Sequence, residues 1–174
     1  ELDVMEKRNT VEFNRRAIAV LRRHRVDVYG SLITQPDYLP ADWERLWRFI
    51  DDNGLYYLNI SPLTPLPGSP EWSALKGRLT VSPRAHGLFD LTHVLLPTRM
   101  PLQDYYRALV RLYRRTCLDL ARADRLTLRT RPPVWTRRFL RLWLGALTIG
   151  VQMSGAHRHH GARQLARAMD RGET

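Results

Sequence analysis

A single cysteine, Cys117, stands among the 174 residues. No intrachain disulfide can form, and no metal centre that needs several thiolates can be built from this chain alone. Cys117 lies in the helical run 105–123 and reads as a small buried hydrophobe, in keeping with a cytosolic setting. Lysine is almost missing too. Lys7 and Lys76 are the only two among 28 basic residues, so arginine carries the net charge of +11. So general a preference for arginine points to codon composition rather than to function, yet the field attracts anions. No zinc-finger spacing and no aromatic ribonucleoprotein strand is present, so nucleic acid is not an expected partner. Glu1-Leu2-Asp3-Val4 do not read as a signal peptide, and a chain that opens on Glu1 rather than Met is expected to be cut from something longer.

The first third alternates helix and strand. Thr10 reads as the cap of a helix over roughly 10–24, with Glu12 in its acidic first turn. Residues 26–33 (VDVYGSLI) are apolar and β-branched enough for a buried strand, ended by Gln35-Pro36-Asp37. A second helix opens at Pro40, with Trp43, Leu46, Trp47 and Ile50 on one face, and Asn53-Gly54 stops it. Residues 55–60 form the next strand. This is the α/β order of a parallel sheet. Two strands do not make a stable parallel sheet, and both read as buried on two faces, so partner strands are expected upstream of Glu1. After residue 72 the pattern changes. Residues 78–99 are irregular, Pro101 starts an amphipathic helix to about residue 125, Arg131-Pro132-Pro133 breaks it, and a hydrophobic helix follows from about 135 to 153. The expected division is 1–72 as an α/β part and 73–174 as a mainly helical extension.

Between the two parts runs Ile60-Ser61-Pro62-Leu63-Thr64-Pro65-Leu66-Pro67-Gly68-Ser69-Pro70. Its prolines fix a rigid loop at a strand end, where α/β folds place ligand contacts. With Lys7-Arg8-Asn9-Thr10 and the strand from Val28 to Ile33, the part of this loop from Leu63 to Pro70 resembles the second half of a radical S-adenosylmethionine (SAM) barrel of the cobalamin-binding subgroup. That family carries a Thr-Pro-x-Pro-Gly-Thr-Pro loop after its sixth strand, and Ser69 stands here in place of the last Thr. Its fifth strand often carries Gly-x-Ile-x-Gly-x-x-Glu, and Gly30, Leu32, Thr34 and Asp37 occupy those positions, Thr34 replacing glycine. The run from Leu88 to Leu102 (LFDLTHVLLPTRMPL), followed by Tyr105-Tyr106, is similar to the region after the barrel in hopanoid C-3 methylases.

The resemblance implies a fold: the C-terminal part of a partial TIM barrel, about two parallel strands with helices, followed by a helical extension. It also implies the cofactors SAM, a 4Fe-4S cluster held by a CxxxCxxC loop, and cobalamin. Neither that loop nor a cobalamin domain lies within these residues, so the segment alone is expected to be inactive. The implied reaction is methylation of an unactivated carbon of a lipid such as a hopanoid. Another radical SAM reaction, or a non-catalytic basic adaptor for membrane or nucleic acid, are the alternatives.

Strand ends flank SAM in such a barrel. Asn59 and Ser61 alternate with Leu58 and Ile60 and so share a face, which either meets SAM or substrate or faces a helix or solvent. Gly30 allows close approach of adenine or packs beneath a helix. Thr64 and Pro65 open the rigid loop, as contacts or as structure. Asp37 caps the following helix or meets ligand. His93, near Asp90, is the candidate substrate contact, against a satisfied loop histidine. His157, His159 and His160 lack the partners of a closed zinc site. The run 139–153 is shorter than the about 20 residues needed to span a bilayer. It reads either as an interfacial helix, giving peripheral contact through 135–153 at the inner membrane face of a cytoplasmic protein, or as a helix packed on the barrel.

Overall fold

The computed structural model describes residues 10–119 and, beyond them, positions 140, 143–145, 147, 148, 151 and 153. Within residues 10–119 the strands and α-helices are α1 (Val11–Arg23), β1 (Tyr29–Thr34), α2 (Pro40–Asp52), β2 (Tyr57–Pro62), α3 (Pro70–Leu75) and α4 (Leu102–Tyr113). Thr10 caps α1 as expected, its hydroxyl accepting the Phe13 N–H at 3.1 Å, with Glu12 in the first turn. The first turn of α2 is served by Asp42, whose carboxylate accepts the Leu39 N–H at 2.8 Å. That hydrogen bond holds the Asp42 carboxyl below the usual carboxylate range. Asp37, the expected cap, is exposed and takes no part in it.

Both strands begin later than their apolar character suggests, and the cause is the same each time. α1 and α2 each exit through a left-handed residue, Arg25 at φ 58° and Gly54 at φ 58°. The residue after it then reaches back five positions: the Val26 N–H donates to Leu21 C=O at 2.9 Å, and the Leu55 N–H to Ile50 C=O at 3.0 Å. This helix-ending motif places an apolar residue just past the turn. Val26 and Leu55 are therefore spent on ending helices, and the strands shift to Tyr29–Thr34 and Tyr57–Pro62. The second strand runs into the proline loop. Pro62 is accepted at its end because the next ladder bond to β1 comes from the Leu63 N–H, which donates to Thr34 C=O at 2.9 Å.

The strands pair in parallel, with Gly30 opposite Leu58, Ser31 opposite Asn59, Leu32 opposite Ile60 and Ile33 opposite Ser61. One face of this ribbon is the core. Leu58 and Ile60 meet Ile18 of α1, Trp43 and Ile50 of α2, and Tyr105, Leu109, Leu112 and Tyr113 of α4. The extension thus shares its core with the α/β part, and α3 runs across position 72. A smaller apolar cluster (Leu79, Val81, Leu88, Leu95, Leu96) gathers the irregular segment, with Trp72 and Leu63 packed against it. α4 is shorter than its hydrophobic period predicts. It is α-helical only to Tyr113 and continues as a π-turn over Arg114–Leu118. There the Thr116 hydroxyl lies within hydrogen-bonding reach of the carbonyls of both Leu112 (2.9 Å) and Tyr113 (3.2 Å), back-bonding of the kind that destabilises and bends helices. Cys117, buried as expected, sits in this turn beside β2. The expected segments 1–9, the helix end near 125, Arg131-Pro132-Pro133 and the histidines 157, 159 and 160 lie outside the described residues.

Candidate functional site

The ribbon's second face carries a different chemistry from its core. Side chains alternate along a strand, and in-register parallel neighbours project to the same side. Tyr29, Ser31 and Ile33 of β1 therefore stand beside Tyr57, Asn59 and Ser61 of β2. Tyr29 is 68% exposed and Ile33 37%, whereas Asn59 is half-buried and Ser61 only 6% exposed. Among the described residues neither the Asn59 carboxamide nor the Ser61 hydroxyl spends itself on a hydrogen bond within the protein. The face is thus a polar patch, Ser31–Asn59–Ser61, flanked by aromatic and aliphatic side chains and able to both donate and accept.

Gly30 lies on the opposite side. A Cβ there would stand 2.8 Å from Leu58 Cδ2 and 3.8 Å from Leu55 Cδ1, so its missing side chain makes room within the core. Gly30 is not brought together with Asn59 and Ser61. Thr64 and Pro65 are tied into the loop beyond the strand end: the Thr64 hydroxyl donates to the Pro62 carbonyl at 3.1 Å, and Pro65 is buried. Farther along this loop Gly68 turns at φ 87°, and the Ser69 hydroxyl is buried without a hydrogen-bond partner among the described residues.

The C-terminal end of β1 is closed by the extension. Thr34 is fully buried, accepts the Tyr105 hydroxyl at 2.8 Å and donates to the Ser61 carbonyl at 3.3 Å. Burial pushes the Tyr105 phenol well above its ordinary value, so it remains a donor. The Tyr105 ring stands edge-on to Trp43, centroids 5.0 Å apart, and Trp43 likewise to Tyr38 at 5.4 Å. Thr34 is therefore the anchor by which α4 is fixed to the strand ends. Sequence spacing alone could not pair residues 34 and 105. The Arg99 N–H also donates to the Pro36 carbonyl at 2.9 Å, holding the irregular segment against the loop after β1.

His93 belongs to that segment. Its Nδ1 lies 2.9 and 3.0 Å from the two Asp90 carboxylate oxygens, and the ring is almost entirely buried. Asp90 is oriented in turn by the N–H groups of Thr92 (2.9 Å) and His93 (3.1 Å). Partial burial of Asp90 acts against ionisation, but the hydrogen bonds from His93 and Thr92 outweigh it and hold the carboxyl below its usual range. The next residue, Val94, donates its N–H to the Tyr106 hydroxyl at 2.8 Å, and burial pushes that phenol up to about 12. Tyr105 and Tyr106 thus connect α4 to the strand end and to the His93 loop respectively. A carboxylate with a depressed pKa stabilises the fold above its unfolded value, near 3.8, and loses that contribution as pH falls through the lower folded value. Asp90→Asn is accordingly expected to lower the melting temperature at pH 6, with the difference from wild type shrinking as pH falls below about 4. A constant difference across that range would show that the Asp90 charge is not what holds the loop.

Among the described residues no group of three His, Cys, Asp or Glu side chains is placed to hold a metal ion. Nor is any helix among them long and apolar enough to cross a membrane. No family model matches the chain, and no solved structure matches it. A curated protein from Methylococcus capsulatus, named Hopanoid C-3 methylase, is 34% identical over 112 residues. That stretch is 63% of this chain and 21% of the relative, so the chain spans about a fifth of the curated relative's length. The chain is thus related to a protein that carries the name of a methylase.

Proposed function

We propose that the chain is the C-terminal part of a cobalamin-dependent radical SAM methylase that acts on an unactivated carbon of a lipid such as a hopanoid. The observation that carries the reading is the 34% identity over 112 residues to a protein named Hopanoid C-3 methylase. The geometry supports it in two ways. Two parallel strands bury one face under helices and present a polar, half-open face on the other, as a segment of barrel wall would. In addition, α1 and β1 leave Phe13, Val20, Tyr29 and Ile33 exposed, an apolar margin suited to further strands and helices beside β1.

The cofactors fit this segment unequally. A 4Fe-4S cluster needs several thiolates, and the one cysteine present is buried in the core between α4 and β2. These residues do not hold the cluster, and no residue here is assigned to cobalamin. SAM fits better, because the Asn59 carboxamide and the Ser61 hydroxyl are unspent on a half-buried face. When bound, the cofactors supply hydrogen abstraction and the methyl group. The part of this chain is to bind and orient SAM through Asn59 and Ser61 and to close the strand ends to water through Thr34 and Tyr105. His93, buried and held by both Asp90 oxygens, fits the satisfied loop histidine, and no substrate role is assigned to it.

Full-length protein purified without oxygen should contain both iron and cobalt, and Cys117→Ala should leave the iron content unchanged. Absence of iron, or its loss in Cys117→Ala, would contradict the assignment.

A further inference from the structure

The far side of α4 carries an unused surface. Gln103, Arg107, Val110, Arg111 and Arg114 line an open cleft of about 1080 Å³ whose other wall includes Leu147 and Val151. Arg107, Arg111 and Arg114 follow at intervals of four and three, so they form one exposed row along the helix. Arg107 pairs with Asp104 at 3.0 Å; among the described residues Arg111 and Arg114 make no ion pair, and Asp119 is the one carboxylate set against them in the lining of the cleft. The opposing wall is helical at every described position, and it is amphipathic in an inverted sense. Met153 is buried against the core, while Leu140 (48%), Leu144 (48%), Leu147 (39%) and Val151 (64%) are exposed at spacings of four, three and four. Four aliphatic side chains in one exposed stripe, beside a guanidinium row in which Arg107 alone is ion-paired among the described residues, cannot be accounted for by packing within those residues.

We infer that this face docks onto an anionic lipid surface, with the aliphatic stripe entering the acyl boundary and the Arg107–Arg111–Arg114 row meeting the headgroup charge. Charge complementarity selects this occupant. A second copy would bring arginine rows of equal sign together on a chain already at +11, whereas an anionic interface offers both the negative potential and the apolar layer. The inference does not depend on the methylase reading, because it rests on no cofactor and its readout is binding.

Full-length protein should cosediment with vesicles of phosphatidylcholine and phosphatidylglycerol, and far less with phosphatidylcholine alone. Arg111→Glu/Arg114→Glu should weaken partition at least roughly tenfold. Leu144→Asp/Val151→Asp should do likewise, since both positions are exposed and tolerate charge without unfolding, as circular dichroism will verify. The control Arg23→Glu/Arg48→Glu makes the same change in net charge on exposed positions of α1 and α2 and should bind like wild type. Equal loss in the control pair would reduce the effect to overall charge and overturn the inference. So would equal binding to neutral vesicles, no binding at all, or a concentration-dependent dimer abolished by Leu144→Asp/Val151→Asp, which would assign the stripe to a second copy.

Discussion

Replacing Tyr105 with alanine is expected to detach α4 from the strand ends and to destabilise this region by about 3–5 kcal/mol. The ring is fully buried, packs edge-on against Trp43 and carries the hydroxyl that donates to Thr34. Alanine removes the ring, leaves a cavity in the core that α1, α2, β2 and α4 share, and strips Thr34 of its donor. Tyr105→Phe separates these contributions. It keeps the packing and loses one hydrogen bond, and because Thr34 still donates to Ser61 its cost should be nearer 1 kcal/mol. Amide hydrogen exchange across α2 and α4 reads the difference directly, with much faster exchange in Tyr105→Ala and modestly faster exchange in Tyr105→Phe. Unchanged protection in Tyr105→Ala would show that α4 is held by something other than this contact.

The second large effect concerns the proposed ligand face. On the proposed role of Asn59 and Ser61, Asn59→Ala combined with Ser61→Ala should weaken SAM binding by the full-length protein roughly 30- to 150-fold, at about 1–1.5 kcal/mol per truncated contact. Both substitutions remove polar atoms that make no hydrogen bond among the described residues, so the fold itself should lose little. Gly30→Ala provides the contrast. It lies on the core side, its new Cβ displaces the flexible end of Leu58, and SAM affinity should remain at the wild-type level. Loss of affinity in Gly30→Ala with none in the double variant would mean that the wrong face of the ribbon has been assigned.

Much of the α/β part is legible in the sequence because its signals are local. A capping threonine before Val11, a proline at the first turn of α2 and Gly54 at its exit each act within a few residues, and the elements lie where those signals put them. The strand starts are less legible, because Val26 and Leu55 look like strand residues but serve helix termination, and Arg25 adopts a left-handed turn that its residue type does not advertise. The alternation that puts Asn59 and Ser61 on one face is also local. That Ser31 joins them, and that Gly30 faces the other way, follows from the pairing register, which no single strand contains. The pairings of Thr34 with Tyr105 and of Val94 with Tyr106 bridge an irregular segment without periodicity, so only the fold brings them together. The exposed stripe from Leu140 to Val151 is legible as hydrophobicity, but its side of the helix is not, because the burial of Met153 and of the Trp143 indole nitrogen orients it.

The most direct test of the account is methyl transfer by the full-length protein under anaerobic, reducing conditions, with SAM labelled in its methyl group and cobalamin supplied. The label should appear in an extractable lipid with wild-type protein and fall sharply with the Asn59→Ala/Ser61→Ala variant. Label that never enters the lipid fraction, although iron and cobalt are bound, would contradict the assignment of this chain to a lipid methylase.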